Sequence, residues 1–166
     1  AGVAWKLALA LDAEKAEGLM ELAAIATVAD MVPLLQENRA IVKIGLQMLE
    51  NTKRPGLVTL MQLAGAERSV TAEQVAFQIA PRINACGRMD NARIALDMLL
   101  TKDASIGLSM AQKAHGLNEQ RKQMEDAVVE DARHQVEKMD LQKHHALVVF
   151  GESWNSGVVG LAAGKL

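Results

Sequence analysis

The sequence predicts a mostly α-helical chain in which a long connecting helix leads to the first strand and helix of a second, α/β domain. Three observations support this. Apolar residues recur at intervals of three and four through residues 2–100. Residues 103–139 carry one narrow apolar stripe on an otherwise polar segment, a rod of roughly 50 Å at 1.5 Å per residue. Residues 146–150 then form a short β-type apolar run, and residues 156–166 return to a helical pattern.

The helices before the rod are bounded by residues that cap or break helices. We expect a helix at 2–11 and a second that starts at 17 and ends before the polar Asp30 and the helix-breaking Pro33. Further helices are expected at 38–50, at 57–63, from about 71 to 80, and from about 91 to 99. Gly65 is placed to end one of them in a left-handed conformation.

Polar caps predict where the later helices begin. Ser69 or Thr71 precedes one helix, Asp90 or Asn91 precedes the next, and Asp103 begins the rod. Pro81 is expected to force the chain out of helix at or before the preceding residue. Residues 82–88 are therefore predicted to form a loop.

The composition indicates a globular protein. Of its 166 residues 50% are hydrophobic and 23% are charged, and its formal net charge is -2. No apolar run is long enough to span a bilayer, and no secretory leader opens the chain. Cys86 is the only cysteine, which excludes an internal disulfide framework or a cysteine-based zinc site and predicts a cytoplasmic location. The chain begins without methionine and closes within an apolar pattern, so we expect a piece of a longer protein.

Charge and aromatic content restrict the ways in which nucleic acid could bind. The balanced net charge means that any contact with nucleic acid must come from a local basic cluster. Aromatic residues make up only 2% of the chain, which argues against an extended stacking platform.

Asp30 is the first candidate site residue. It directly follows the apolar stretch at 25–29, which places a carboxylate at the edge of a core. One interpretation is a turn or cap residue that accepts backbone hydrogen bonds. The other is a ligand for Mg²⁺ or Mn²⁺, which prefer carboxylate oxygens.

The expected loop at 82–88 is the second candidate. It combines Arg82, Asn84, Gly87 and Arg88 near a helix start, and guanidinium groups match phosphate oxygens. The alternative is that both arginines pair with surface carboxylates at Glu73, Asp90 or Asp97. Cys86 within this segment is expected to be a packing residue.

Two further motifs have simple explanations. The adjacent pair His144 and His145 precedes the expected strand, so the two side chains point to opposite faces and do not suit one metal ion. Residues 157–165 fail the spacing of a phosphate-binding P-loop. They are better explained as a closely packed helix whose start, near Ser156 and Gly157, could receive an anion.

Six segments in order carry a resemblance to a known family. They are TVADMVPL at 27–34, ENR at 37–39, RPGL at 54–57, APRINACGRM at 80–89, LNEQR at 117–121 and GVVG at 157–160. Together they strongly resemble the RecJ-like single-stranded-DNA-specific exonucleases of the DHH phosphoesterase superfamily, and the likeness covers nearly the whole chain.

This resemblance implies an α/β enzyme with two lobes. A DHH catalytic domain would end within residues 1–101, a connecting helix would occupy 102–140, and a DHHA1 domain would start at 141–166. Family members hold two Mn²⁺ or Mg²⁺ ions and remove nucleotides from the 5′ end of single-stranded DNA in repair and recombination. Asp30 matches the last of the metal-binding motifs. Arg82, Asn84 and Arg88 match a block that contacts the DNA backbone or organises the metal site.

The chain also departs from the family. The earlier aspartate motifs and the Asp-His-His motif are absent, so the chain alone is expected to be inactive. Asn155 and Ser156 stand where the family usually has His and Pro. Single-stranded DNA, and with it single-strand-binding protein, are the expected partners of a monomeric, non-membrane enzyme. The alternatives are a DHH phosphoesterase for short oligonucleotides or cyclic dinucleotides, and a non-catalytic helical scaffold.

Overall fold

The computed structural model describes residues 1–66, 69–140 and 146–166, and within them the regular structure is helical. The helices are α1 (Gly2–Leu11), α2 (Ala13–Glu17), α3 (Met20–Ala29), α4 (Gln36–Glu50), α5 (Pro55–Ala64), α6 (Ala72–Gln74), α7 (Ala80–Met89), α8 (Arg93–Leu100), α9 (Ala104–Glu137) and α10 (Ser156–Ala163), with a π-helical turn at Val75–Ile79 between α6 and α7. The expectation of a mostly helical chain is confirmed.

Several helices begin or end at the capping residues that the sequence indicated. Gly65 closes α5 in the left-handed conformation, with φ at 71°. Thr71 caps α6, and Gln74 reaches back to the Thr71 backbone in a capping box. The carboxylate of Asp103 accepts from the backbone N–H groups of Ser105 and Ile106, 2.8 and 3.0 Å away, and so begins α9.

The long helix α9 contributes to two separate hydrophobic cores. Its N-terminal half places Ala111, Ala114 and Leu117 in the main core, which is built mostly from α3, α4, α5, α7 and α8. Its C-terminal half places Val128 and Val129 in a smaller core with residues of α10. At 34 residues, α9 is about 51 Å long. The rod predicted from the sequence thus forms and connects two packed regions.

Two glycines allow helices to pack closely around α5. A β-carbon added to Gly107 of α9 would lie only 2.7 Å from the backbone nitrogen of Gly56. A β-carbon added to Gly56 would lie 2.3 Å from the carbonyl oxygen of Met98 in α8. Both distances are shorter than a carbon can approach, so these helix crossings require glycine.

The prediction of a loop at 82–88 is wrong, because these residues form most of α7. Pro81 lies in the first turn of α7, where the missing N–H costs no hydrogen bond. The π-helical turn just before it has a wider hydrogen-bond spacing, with the N–H of Ala80 donating to the carbonyl of Val75. The chain therefore stays helical from Ala72 to Met89 despite the proline.

The strand expected at 146–150 has no partner strand in the described part of the chain. The side-chain amide of Gln135, on α9, instead bonds both backbone groups of Phe150. Its nitrogen donates to the carbonyl of Phe150 at 2.8 Å, and its oxygen accepts from the N–H at 3.2 Å. The helix expected from residue 156 is present as α10.

Candidate functional site

Asp30 lies directly after α3 with an exposed side chain. Its backbone N–H donates to the carbonyl of Ala26 at 3.0 Å. Its carboxylate has no hydrogen-bond or ion-pair partner among the described residues. The next residue, Met31, has a φ of 50°, in the left-handed region, so the chain turns sharply away from the helix axis here. The carboxylate therefore does not serve as a backbone cap and is available to a ligand.

Asn84 lines the same cavity as Asp30. Asp30 and Asn84 both line a cavity of about 150 Å³ between α3, α7 and α8. The rest of the lining is apolar, from Leu22, Ile25, Ala26, Ala29, Ala80, Ile83 and Leu99. Carboxylate and amide oxygens both suit a hard divalent cation, so this rim provides two compatible donor groups. The structure thus brings together two residues that are 54 positions apart in sequence.

Arg88 meets the start of α10. Its Nη1 donates to the carbonyl oxygen of Gly157 at 3.1 Å, and the Asn155 side chain accepts from the Gly157 N–H at 2.7 Å. A β-carbon on Gly157 would lie 2.4 Å from the backbone carbonyl oxygen of Arg88, so only glycine fits this approach. Arg88, Ser156 and Gly157 are therefore neighbours at the junction of the two cores.

Of the surface carboxylates considered as partners for the arginines, Asp90 and Asp97 are engaged elsewhere, and Glu73 pairs with neither arginine among the described residues. Asp90 pairs with Lys113 at 2.9 Å, and Asp97 pairs with Arg93 at 2.8 Å. In the part of the chain that the structure describes, Arg88 is exposed and its only hydrogen-bond partner is a neutral carbonyl. Its positive charge is consequently not neutralised and can attract a phosphate.

Arg82 occupies a different environment from Arg88. It is only 9% exposed and lies between α7 and α9. Its Nε donates to Nδ1 of His115 at 3.1 Å, and its Nη1 donates to the carbonyl of Gln78. Burial lowers the pKa of Arg82, while the charge of Glu119 acts in the opposite direction. In this arrangement the guanidinium ties α7 to α9 and does not share the surface of Arg88.

Sequence reasoning missed the polar groups that surround Arg82. His115 accepts at Nδ1, which assigns its proton to Nε2 in the neutral ring. The side-chain oxygen of Gln78 is buried without a hydrogen-bond partner among the described residues. His115 is 33 positions from Arg82, and no local pattern in the sequence links them.

A second missed cluster fastens α10 to α9. Arg121 bonds the carboxylate of Glu125, whose side chain is 5% exposed. Lys165 binds the same carboxylate at 2.7 Å. The hydrogen bond with Glu125 raises the pKa of Lys165. This cluster includes the end of the LNEQR segment and holds the junction between the two cores.

The remaining candidates add no reactive site in the part of the chain that the structure describes. Cys86 is fully buried, and burial raises the pKa of its thiol, so it packs and is not a nucleophile. His144 and His145 lie outside the described residues. Within the described ranges, no three His, Cys, Asp or Glu side chains are grouped closely enough to hold a metal ion. None of the helices in these ranges combines the length and the hydrophobicity that a membrane span requires.

Comparison with known proteins shows what this arrangement resembles. No protein-family model matches the chain. It is 42% identical to the single-stranded-DNA-specific exonuclease RecJ of Bacillus subtilis over 99% of its own length and 21% of that protein. It is 36% identical to RecJ of Thermus thermophilus over 88% of its length and 21% of that protein. The chain thus spans about a fifth of the length of these curated relatives.

Solved structures agree with the sequence comparison. A crystal structure of exonuclease RecJ bound to manganese matches with a TM-score of 0.79 and 36% identity, over 89% of this chain and 37% of that one. RecJ from Thermus thermophilus in complex with Mg²⁺ matches with a TM-score of 0.78 and 36% identity, over 89% of this chain and 23% of that one. The helical arrangement described above is therefore one found in RecJ.

Proposed function

We propose, on the basis of its similarity to RecJ, that this chain is part of a metal-dependent exonuclease that degrades single-stranded DNA from 5′ to 3′ in DNA repair and recombination. The observation that carries the proposal is the carboxylate of Asp30, which has no partner among the described residues, lines a cavity together with Asn84, and lies inside the segment that resembles the last metal-binding motif of the family. The 5′ polarity and the repair role rest on the family likeness.

Asp30 fits the role of one anchor for Mn²⁺ or Mg²⁺. Its oxygens are exposed, unpaired within the described residues, and of the type that hard divalent ions prefer. When bound, a pair of such ions would supply Lewis-acid activation of the scissile phosphate and a hydroxide nucleophile near neutral pH. Asn84, which lines the same cavity, would orient the ligand or the phosphate.

Arg88, Ser156 and Gly157 are proposed to hold the DNA backbone. Arg88 keeps an unneutralised charge, and its contact with Gly157 fixes it at the junction of the two cores. Arg82 has an indirect role. Its bonds to His115 and Gln78 set the position of α7, which carries Asn84 and Arg88.

We assign residues 1–101 to the end of a DHH catalytic domain, 102–140 to the connecting helix and 141–166 to the start of a DHHA1 domain. The two cores on α9 support this division. The chain alone is expected to be inactive, because Asp30 is the single residue that matches a metal-binding motif. We further propose a cytoplasmic, monomeric enzyme that meets its single-stranded DNA together with single-strand-binding protein.

The test is Asp30→Ala in the full-length protein that contains this chain, with 5′-labelled and 3′-labelled single strands, a duplex and Mn²⁺. We expect the wild type to release label from the 5′ end of single strands only. The variant should lose activity by roughly a hundred-fold or more, because a metal anchor supplies several kcal/mol at the transition state. Asp97→Ala, which removes a surface carboxylate paired with Arg93, is the matched control and should stay active.

Unchanged Mn²⁺-dependent degradation by Asp30→Ala would overturn the metal assignment. If the wild type left long strands intact but cleaved short oligonucleotides or cyclic dinucleotides, the protein would be a different phosphoesterase of the superfamily. If none of these substrates were cleaved, the scaffold interpretation would replace the enzyme.

A further inference from the structure

An aromatic ring is exposed on the helix that carries Asn84 and Arg88. Phe77 lies in the π-helical turn at Val75–Ile79, and 76% of its surface is accessible. The sequence has only two Phe and two Trp residues and no Tyr. The indole N–H groups of Trp5 and Trp154 are engaged with Ala16 and Asp131 respectively, at 2.9 Å in each case. Phe77 has no such attachment among the described residues.

The exposed positions between residues 72 and 89 form one stripe. Glu73, Phe77, Asn84 and Arg88 are exposed, and Pro81, between the second and third of these, is half-buried. Successive members are separated by three or four residues, which is the spacing of one helix face. The opposite face is buried and carries Val75, Ile79, Arg82, Ala85 and Cys86. Phe77, Asn84 and Arg88 therefore lie along a single surface, here called the α7 stripe.

We propose that Phe77 stacks against a base of the single strand whose phosphates are held at Asn84 and Arg88. This inference rests on the proposed function and adds a binding residue to it. The α7 stripe supplies the three components of single-strand recognition: an exposed ring for a base, an uncompensated guanidinium for a phosphate, and the rim of the cavity that carries Asp30. The low aromatic content excludes an extended platform, but one ring is enough for one base.

The helix sets the approximate distance between Phe77 and Asn84. Seven helical residues separate Phe77 from Asn84, an axial distance of roughly 10 Å. A single strand would cover that distance with only a few nucleotides. The stacked base therefore belongs to a nucleotide close to the scissile phosphate, on the side away from Arg88. Glu73, one turn further, is exposed and carries a negative charge that would repel a phosphate.

The experiment measures binding of a short single strand by the full-length protein in EDTA, with 2-aminopurine at successive positions. For Phe77→Ala we expect affinity to fall roughly five- to 150-fold, the range for loss of one stacked base. Phe77→Leu should bind as weakly as the alanine variant, and Phe77→Trp should bind at least as well as the wild type. Wild-type protein should quench 2-aminopurine at one position, and Phe77→Ala should remove that quenching.

Two controls separate stacking from charge and from general surface effects. Phe150→Ala removes the other phenylalanine, which is 77% exposed but lies off the α7 stripe, and should leave affinity unchanged. Arg88→Ala should lower the slope of log affinity against log salt by about one, because it removes one phosphate contact, whereas Phe77→Ala should leave the slope unchanged.

Three outcomes would overturn the inference. They are unchanged affinity in Phe77→Ala, wild-type affinity in Phe77→Leu, and an equal loss on a strand that lacks the base at the quenched position. Each of these can occur while wild-type protein still degrades single strands, in which case the proposed function stands without this contact. Absence of wild-type cleavage would instead count against the proposed function.

Discussion

Gly107 and Gly116 allow a direct test of how α9 packs. Both glycines lie within the same helix, but Gly107 is buried against α5 and Gly116 is exposed. A β-carbon at Gly107 would lie 2.7 Å from the backbone nitrogen of Gly56 and 3.0 Å from two atoms of Pro55. A β-carbon at Gly116 would meet no atom within 4 Å. Alanine substitution therefore changes the same residue type in two opposite environments.

The two substitutions share one contribution to the free energy of unfolding and differ in another. Alanine favours a helix interior over glycine by about 1 kcal/mol, so Gly116→Ala should stabilise by that amount. Gly107→Ala has the same gain but forces a methyl group into backbone atoms that cannot rotate away, at a cost of about 1–3 kcal/mol. The two variants should thus differ by about 1–3 kcal/mol, with Gly107→Ala the less stable.

The measurement is thermal unfolding of both variants and the wild type, followed by circular dichroism at one protein concentration. For a chain of this size the expected difference in Tm is roughly 2–12 °C. If Gly107→Ala raised the Tm as much as Gly116→Ala did, the close contact between α5 and α9 would be wrong. The position of α9 on the main core would then need revision.

Two more predictions concern charged groups. Arg54 bonds Glu21 at 2.7 Å, and the Glu21 side chain is only 7% exposed. Arg54→Ala should lower the free energy of unfolding by about 3–5 kcal/mol, because it leaves a buried carboxylate unpaired. A urea titration that showed no loss of stability would contradict this prediction. Hydrogen bonds from the Ser105 side chain and from the first N–H groups of α9 hold the pKa of Asp103 below its ordinary value. Its contribution to stability is therefore complete above the unfolded-state pKa and is lost as the pH falls through the lower folded-state pKa. The stability of Asp103→Asn, measured as the pH is lowered, should not show this loss. An identical dependence of stability on pH in wild type and variant would refute the role of Asp103 as the cap of α9.

The features that the sequence predicted well are local ones. Thr71 and Asp103 cap helices because their side chains reach N–H groups two or three residues ahead. Gly65 ends a helix because glycine adopts positive φ without a steric penalty. The rod was predictable because its apolar stripe repeats over 34 residues. Each of these signals is contained within a few neighbouring positions.

The predicted loop at 82–88 failed because the rule for proline considers only a regular α-helix. In such a helix Pro81 would remove an N–H that the ladder requires. The π-helical turn before it changes the spacing of the ladder, and Pro81 then occupies a position in a first turn. No sequence pattern in this segment signals a π-helical turn, so the error could not have been avoided from local residues.

The helical conformation of residues 82–88 also changes how Arg82, Asn84 and Arg88 are arranged. In a loop, Arg82, Asn84 and Arg88 could converge on one anion. On a helix with 3.6 residues per turn, Asn84 and Arg88 lie roughly 200° and 240° around the axis from Arg82. Arg82 therefore faces α9 and His115, whereas Asn84 faces the cavity of Asp30 and Arg88 reaches α10. One short segment thus connects the candidate metal anchor, the connecting helix and the second core, and a shift of α7 would move all three contacts together.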